Sequence, residues 1–139
     1  MKQLLLSQDP VATLRGMIAD GSLSKRFPEI ADLKLPIPKG YHHKDNLEHS
    51  IRVLGHAIDL EPRGADLIIR TAALLHDIGK PATREFGKPG VVTFRSHEYV
   101  GAKVARKILQ REGYSQSEIK EITLLIRLHM RAYGFSPES

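Results

Sequence analysis

Apolar residues recur at intervals of three and four along most of this chain, the spacing of amphipathic helices. The first such stretch covers residues 9–20. Its apolar face consists of Val11, Leu14, Met17 and Ile18. Asp9 suits the N-cap, Pro10 the first helical position and Gly21 the C-terminal turn. The pattern therefore predicts a well-delimited helix at the start of the chain.

Further helices are predicted towards the middle of the chain. A short one is expected over 22–31, followed by a loop over 35–40, where two prolines in four residues cannot continue a helix. The sequence D-N-L-E at 45–48 has the form of a capping box and predicts a helix over 46–59. The chain is thus expected to alternate short connections with amphipathic helices.

The next predicted helix begins at Pro62 and runs to about residue 78, where Gly79 and Pro81 end it. Its last part reads T-A-A-L-L-H-D-I-G-K over residues 71–80. A buried imidazole or carboxylate must be paired, hydrogen-bonded or bound to a metal. The change from an apolar run to His76-Asp77 therefore marks either a polar helix end or the centre of a site.

The C-terminal half predicts a loop or small hairpin over 82–95, then two helices. One covers 97–112 with Ser96 as its cap; the other covers 116–131 and opens with the capping box S-Q-S-E at 115–118. The whole pattern predicts an all-α bundle of five to six helices with a short loop or hairpin insertion. One domain over 1–139 is expected, with a helical lead-in over 1–40 and a helical core over 41–131.

Composition narrows the class of protein. The 139 residues are 41% hydrophobic, enough for a core, and contain no cysteine, which excludes disulfides and thiolate zinc sites. No apolar run approaches the ~20 residues of a membrane span. We therefore expect a soluble, cytoplasmic domain without membrane contact. The formal charge of +5 favours anionic partners such as nucleotides, phosphate esters or RNA, although an ordinary basic surface explains it equally well.

Four of the seven histidines fall on four different predicted helices: His49, His76, His97 and His129. A single histidine at a helix end is usually a cap or a surface residue. Here the joint pattern, with Asp77 beside His76, favours a metal site built from facing helices. Imidazole and carboxylate ligands suit one or two divalent ions such as Mn, Ni, Co, Fe, Zn or Mg.

The remaining histidines are not expected to be ligands. His42 and His43 lie in a polar loop and should be structural or exposed. His56 lies two turns beyond His49, ~10.5 Å along the helix axis, so the two cannot share an ion. A bound metal would lower the pKa of a water towards ~7 and make a hydroxide nucleophile. Three cations could then hold phosphate oxygens: Lys80, Arg84 and Arg95.

The spacing of His49, His76-Asp77 and Lys80 resembles the central motif of the HD-domain metal-dependent phosphohydrolase superfamily. The match continues through Y-H-H-K-D-N-L-E-H-S-I-R-V-L, A-A-L-L-H-D-I-G-K-P-A-T-R, F-R-S-H-E-Y-V-G-A and L-I-R-L-H-M, which resemble the HD region of bacterial CCA-adding tRNA nucleotidyltransferases. The lead-in D-P-V-A-T-L-R-G-M-I-A-D-G-S-L-S-K-R-F-P-E-I is also similar to the segment before that region. The resemblance covers nearly the whole chain.

This resemblance implies an all-α HD fold with His49, His76 and Asp77 as ligands of one metal ion. In members with additional histidines, the positions of His97 and His129 serve a second ion shared through the aspartate. Asp77 and Lys80 would then be the catalytic residues. HD domains of CCA-adding enzymes are associated with 2′,3′-cyclic phosphodiesterase, 2′-nucleotidase and phosphatase activities, so a nucleotide or RNA-end phosphate is the expected substrate, with tRNA as a further contact.

Two departures from the family pattern change the expectations. The chain has no G-S followed by D-x-D on a strand, the pattern of the nucleotidyltransferase head, and is not expected to add CCA. It also has no aspartate after Asp77, where the superfamily has its last acidic ligand. Either the first metal lacks that ligand, or Glu138, water or a partner substitutes. Two alternative functions stay open. One is pyrophosphate or triphosphate removal from nucleotides; the other is a catalytically silent RNA-binding or partner-docking module.

Overall fold

The computed structural model describes residues 1–128, which fold into helices and one small hairpin. Its elements are α1 (Lys2–Leu5), α2 (Pro10–Asp20), α3 (Ser22–Arg26), α4 (Pro28–Ala31), α5 (Asn46–Asp59), α6 (Leu67–Leu75), α7 (Lys80–Thr83), β1 (Arg84–Phe86), β2 (Val92–Phe94), α8 (His97–Arg111) and α9 (Gln116–Arg127). Among these described elements, five helices have nine or more residues. The predicted all-α bundle with a hairpin insertion is therefore confirmed.

Helix α6 is the centre of the bundle. It packs against α5 on one side and α9 on the other, and α8 packs along α9. Its buried C-terminal part is apolar, since Ala72, Ala73, Leu74 and Leu75 are all at most 1% exposed. At ~25 cal/mol per Å² of apolar surface, burying such a segment fixes its position strongly. The polar pair that follows it is therefore held by a rigid support.

The N-terminal helices share this core. Their buried side chains are Leu5, Leu14, Leu23, Phe27, Ile30 and Leu33. Arg70 of α6 connects the two regions: it donates to the Leu5 carbonyl oxygen at 2.6 Å and forms a two-pronged ion pair with Glu61. Because both partners of this pair are nearly buried, the loop before α6 is tied to the core.

Helix α6 begins later than the sequence predicted. It starts at Leu67, not at Pro62, and Asp66 caps it by accepting a hydrogen bond from the Ile69 backbone NH. The preceding loop passes through Gly64 at φ +98°, and Glu61 accepts from the Asp66 backbone NH. The apolar periodicity could not reveal this loop, because its stabilising contact is a side chain-to-backbone hydrogen bond.

The helix also ends earlier, at Leu75, so the polar pair lies in a tight turn over residues 76–79. Gly79 was predicted to end the helix, but the helix ends four residues before it, and the φ of Gly79 is −83°. The glycine is required for space instead. A Cβ at this position would overlap the carbonyl oxygen of His97 and the backbone of Gly101. Pro81 does not stop a helix either, since it lies in the first turn of α7.

Most of the predicted caps are present. Asp9 and Ser115 cap α2 and α9, and the Ser115–Glu118 capping box is complete. Asp45 caps α5, but Glu48 pairs with Arg15 of α2 and with Arg52 instead of completing a capping box.

Ser96 precedes α8 at φ 59°, and its side chain does not cap the helix. Its strained backbone belongs to the turn between the hairpin and α8. The loop or hairpin predicted over 82–95 is a hairpin, in which β1 pairs antiparallel with β2.

Within residues 1–128, none of the helices combines the length and hydrophobicity needed to cross a bilayer.

A buried carboxylate at the end of α8 predicts a specific pH dependence of stability. Arg26 donates two hydrogen bonds at 2.8 Å to Glu112, and together with the Met1 amino group this outweighs burial and lowers the pKa of Glu112 from 4.5 to about 2. Because the folded-state pKa is depressed, the stabilisation is complete above pH 4.5 and is lost as the pH falls towards 2.

We therefore expect Glu112→Gln to lower the free energy of unfolding by about 3 kcal/mol at pH 7. The difference in unfolding free energy between this variant and the wild type, measured by urea unfolding, should decrease steadily from pH 4.5 to pH 2. Exposed Glu121 gives the matched control, since Glu121→Gln should change little at either pH. If this difference in unfolding free energy stayed constant with pH, Arg26 would not act through the charge of Glu112.

Candidate metal centre

Asp77 is the centre of the site. Its side chain is completely buried, at 0% exposure. One carboxylate oxygen, Oδ2, lies 3.3 Å from His76 Nε2, 3.3 Å from Lys80 Nζ and 3.9 Å from His49 Nε2. The other, Oδ1, lies 3.3 Å from His97 Nε2. Three helices and the turn after α6 thus meet around a single carboxylate.

Each histidine reaches the site from a separately fixed element. His49 lies in the first turn of α5, whose start is set by the Asp45 cap. His76 follows the buried end of α6, and His97 is the first residue of α8. The side chains of His49 and His97 are 17% and 15% exposed, whereas that of His76 is 1% exposed. The centre is therefore buried on its α6 side and reachable from solvent beside His49 and His97.

Backbone carbonyls orient two of the imidazoles. His76 Nδ1 donates to the Ala73 carbonyl oxygen at 2.7 Å, and His97 Nδ1 donates to the Phe94 carbonyl oxygen at 3.0 Å. A histidine whose Nδ1 proton is held in this way presents Nε2 as its metal-binding nitrogen. Both Nε2 atoms face Asp77, on its two different oxygens.

The residues present fit a divalent metal ion. One ligand atom each from His49, His76 and Asp77 lies within 4.8 Å of the other two. When the His76 ring is neutral, its Nε2 and the Asp77 carboxylate both direct lone pairs into the same space. These lone pairs repel each other, and a cation bound between them makes the arrangement favourable. Mixed imidazole and carboxylate ligands suit the borderline and hard divalent ions. The described part of the site thus offers three side chains that could hold a metal ion.

The ionisation states also suit metal binding. Burial raises the pKa of Asp77, but its side-chain contacts with His76 and His97, with the nearby charge of Lys80, outweigh it and hold this pKa well below its usual range. Burial and the charge of Lys44 lower the pKa of His49 to about 4. Near neutral pH the carboxylate is therefore charged and the His49 ring neutral, which are the forms that bind metal.

The three predicted phosphate-binding cations are placed very differently. Lys80 is buried, lies against Asp77, and donates to Asn46 Oδ1 at 3.5 Å. Arg84 donates to the Pro36 carbonyl oxygen at 2.7 Å and to His43 Nε2 at 3.1 Å. Arg95 is exposed just before α8. Among the three, the structure thus brings Lys80 alone into contact with Asp77.

His129 and Glu138, predicted as a further ligand and a substitute ligand, lie outside the described residues. His42 and His56 are exposed, and His43 has a structural role through its hydrogen bond with Arg84. Sequence reasoning missed Asn46, which is 1% exposed and supports Lys80 from α5. Its position three residues before His49 was the available signal, since the two lie on one face of a helix.

Known proteins resemble this chain closely. The sequence model of the HD domain family matches residues 46–136. The chain is 34% identical over 130 residues to an A-adding tRNA nucleotidyltransferase of Deinococcus radiodurans, covering 91% of this chain and 29% of that protein. It is 36% identical over 131 residues to a CC-adding tRNA nucleotidyltransferase of Thermus thermophilus, covering 94% of this chain and 30% of the relative.

A more distant match is a bifunctional uridylyltransferase/uridylyl-removing enzyme of Ruegeria pomeroyi, 27% identical over 144 residues, with 91% of this chain and 15% of that protein covered. The chain therefore spans less than a third of the length of these curated relatives.

Proposed function

Because the chain belongs to the HD domain family, we propose that it is a divalent-metal-dependent phosphohydrolase. The observation that supports this most is the convergence of His49, His76 and Asp77, three ligand atoms within 4.8 Å of each other. His49 lies 27 positions before His76 and 28 before Asp77, and the packing of α5 against α6 brings them together.

The metal ligands that we propose are His49, His76 and Asp77 for a first ion. His97 serves a second ion through the other oxygen of Asp77, with His129 as a further ligand. A bound ion supplies Lewis-acid activation of water and of a phosphoryl oxygen. Asp77 is suited to a shared position because its two oxygens face different histidines.

The chain's own groups define what else the site can do. Lys80 neutralises part of the charge on Asp77 and adds positive potential where phosphate negative charge would gather. Arg84 and Arg95 extend that potential outwards along the hairpin. The buried α6 side excludes water from behind Asp77, so a substrate approaches past His49 and His97.

The substrate class that we propose is a phosphomonoester or a cyclic phosphodiester of a nucleotide or an RNA end. Two relatives are named for transferring nucleotides to tRNA, which supports an RNA-end phosphate as substrate and tRNA as a contact. The HD region is the part of those proteins that this chain matches. Addition of nucleotides is not proposed for it.

A screen of hydrolysis tests this function directly. Metal-free protein should be inactive, and added Mn²⁺, Ni²⁺, Co²⁺ or Mg²⁺ should restore cleavage of a 2′,3′-cyclic nucleotide or of a generic phosphomonoester. His76→Ala should remove the activity, because the ring is held by the Ala73 carbonyl against Asp77. His56→Ala, an exposed histidine of α5, should leave it unchanged. Absence of hydrolysis with every ion would refute the proposal.

A further inference from the structure

The net positive charge of the chain is concentrated on two segments that are distant in sequence. Residues 34–44 contain three lysines and no acid, and residues 84–95 contain three basic residues and one acid. Together they account for a charge of +5, which equals the formal charge of the whole chain. The remaining residues are balanced. We call these two segments together the basic aromatic face.

The two segments pack on each other through aromatic rings. Tyr41 meets Phe86 edge to face with 4.8 Å between ring centroids, and His43 meets Phe94 in the same way at 5.5 Å. A side chain-to-backbone hydrogen bond also joins the two segments, since the Arg84 guanidinium donates to the Pro36 carbonyl oxygen. The hairpin and the 34–44 segment therefore form one continuous surface in which the scattered charges are brought together.

Cations lie over these rings. The Arg84 guanidinium is 4.8 Å from the Phe86 ring centroid, and Lys80 Nζ is 5.2 Å from that of Phe94. His43 fixes Arg84: its Nδ1 donates to the Lys44 carbonyl oxygen, so its Nε2 accepts from Arg84. Aromatic rings and cations thus alternate from Phe86 and Arg84 on the exposed hairpin to Phe94 and buried Lys80.

This alternation leads to the metal centre. Lys80, which lies over Phe94, is also 3.3 Å from Asp77 Oδ2. At the outer end, Phe86 is 42% exposed, and neighbouring Val91 is 45% exposed. A ring that stays exposed to solvent contributes little to the stability of the fold. Beside fixed cations it offers a stacking surface for a planar ligand.

We propose that the basic aromatic face binds single-stranded RNA and leads its terminal phosphate to Asp77. This inference rests on the proposed function for the identity of the reacting end. Rings that stack bases and cations that follow the backbone are the combination by which proteins hold single strands. Two successive ring pairs suit more than one nucleotide, so the preferred substrate is an RNA end and not a free mononucleotide.

Other ligands would use only part of this surface. An acidic peptide would contact the cations and leave the exposed Phe86 ring without a role. Duplex RNA would meet the same charges, but its bases are paired and stacked within the helix and cannot reach Tyr41 or Phe86. Dependence on the ring and preference for single strands are therefore the distinguishing properties.

The test measures binding of a fluorescent single-stranded RNA of about eight nucleotides ending in a 3′-phosphate, by anisotropy, to the full chain in EDTA. Without metal the RNA is not hydrolysed, so binding is measured by itself. We expect Phe86→Leu, which keeps the apolar volume and removes the ring, to weaken binding roughly tenfold. Phe86→Trp should retain it. Leu60→Ala, at another exposed apolar position, should have no effect.

Two further measurements separate stacking from charge. Lys39→Glu with Lys88→Glu should weaken binding and reduce its salt dependence, since each lost phosphate contact lowers the slope by about 0.7. The same RNA annealed to its complement should bind more weakly than the single strand. Equal binding of both forms, or Phe86→Leu binding like the wild type, would overturn the proposal.

The outcome is independent of catalysis. If RNA binds through Phe86 but no ion restores hydrolysis, the RNA-binding face stands and the phosphohydrolase proposal fails. The opposite result is hydrolysis that depends on His76 but not on Phe86. In that case Phe86→Leu leaves RNA binding unchanged and does not raise the KM for the RNA end above the KM for a mononucleotide. The phosphohydrolase proposal then stands and this inference fails.

Discussion

Replacing Asp77 by asparagine should weaken metal binding by more than ~100-fold and reduce hydrolysis to background. Altering residues that merely support metal ligands costs 10–100-fold in affinity or activity, and Asp77 is proposed as a ligand itself. Asparagine keeps the shape of the side chain but removes the negative charge that faces His76, His97 and Lys80. Metal affinity is best measured by calorimetric titration of Mn²⁺ into metal-free protein, and hydrolysis in the same preparation.

The loss of charge should also affect folding, because the buried Lys80 ammonium would keep no carboxylate beside it. Removing one partner of a buried pair typically costs 3–5 kcal/mol. Circular dichroism and urea unfolding must therefore accompany the assay. Asp59→Asn, an exposed acid at the end of α5, provides the matched control. A folded Asp77→Asn protein that binds and hydrolyses like the wild type would exclude Asp77 from the centre.

Gly79→Ala is expected to be the most destabilising single-methyl change in the described structure, at about 3 kcal/mol. The added Cβ would overlap the His97 carbonyl oxygen and the Gly101 backbone. Backbone atoms cannot turn aside as a flexible side chain can, so α8 must move away from the turn that carries Asp77. Because His97 is the first residue of α8, the same movement should separate His97 from Asp77.

Urea unfolding and a metal titration together test this expectation. Gly16→Ala is the matched control: a Cβ there has no neighbour within 4 Å, and alanine inside α2 should stabilise by roughly 0.5–1 kcal/mol. If Gly79→Ala were as stable as the wild type, the close approach of the turn to α8 would not exist in solution.

The long helices could be predicted from sequence because their apolar periodicity and caps agree. Helices α2, α5 and α8 start at or within one residue of the predicted positions, and α9 starts at its predicted residue. Local signals suffice there, since a side chain that caps a helix is a few residues from the groups that it satisfies. Helix α1 has no such signal and was not predicted.

The parts that sequence reasoning missed all depend on contacts between distant segments. Gly79 carries the sequence signature of a helix end, yet its role is the approach of α8, which lies on a later element. Asn46 is read as an ordinary helix-start residue until Lys80, 34 positions away, is brought against it. The positive charge looks evenly spread along the chain until residues 34–44 meet the hairpin.

The candidate centre was largely predictable. The adjacent His76-Asp77 pair after a buried run, with His49 and His97 on neighbouring helices, already indicated a metal site. The structure brings the three histidines together around Asp77. The sequence could not indicate which oxygen of Asp77 faces which ring. That assignment follows from the carbonyls of Ala73 and Phe94, which orient His76 and His97.

An anomalous difference map from crystals of the protein loaded with Mn²⁺ tests the central claim most directly. We predict a peak at coordination distance from ligand atoms of His49, His76 and Asp77, and a second peak beside His97 on the other oxygen of Asp77. A map without any peak at Asp77, from crystals that hold manganese elsewhere on the protein, would contradict the assignment of this cluster as a metal centre.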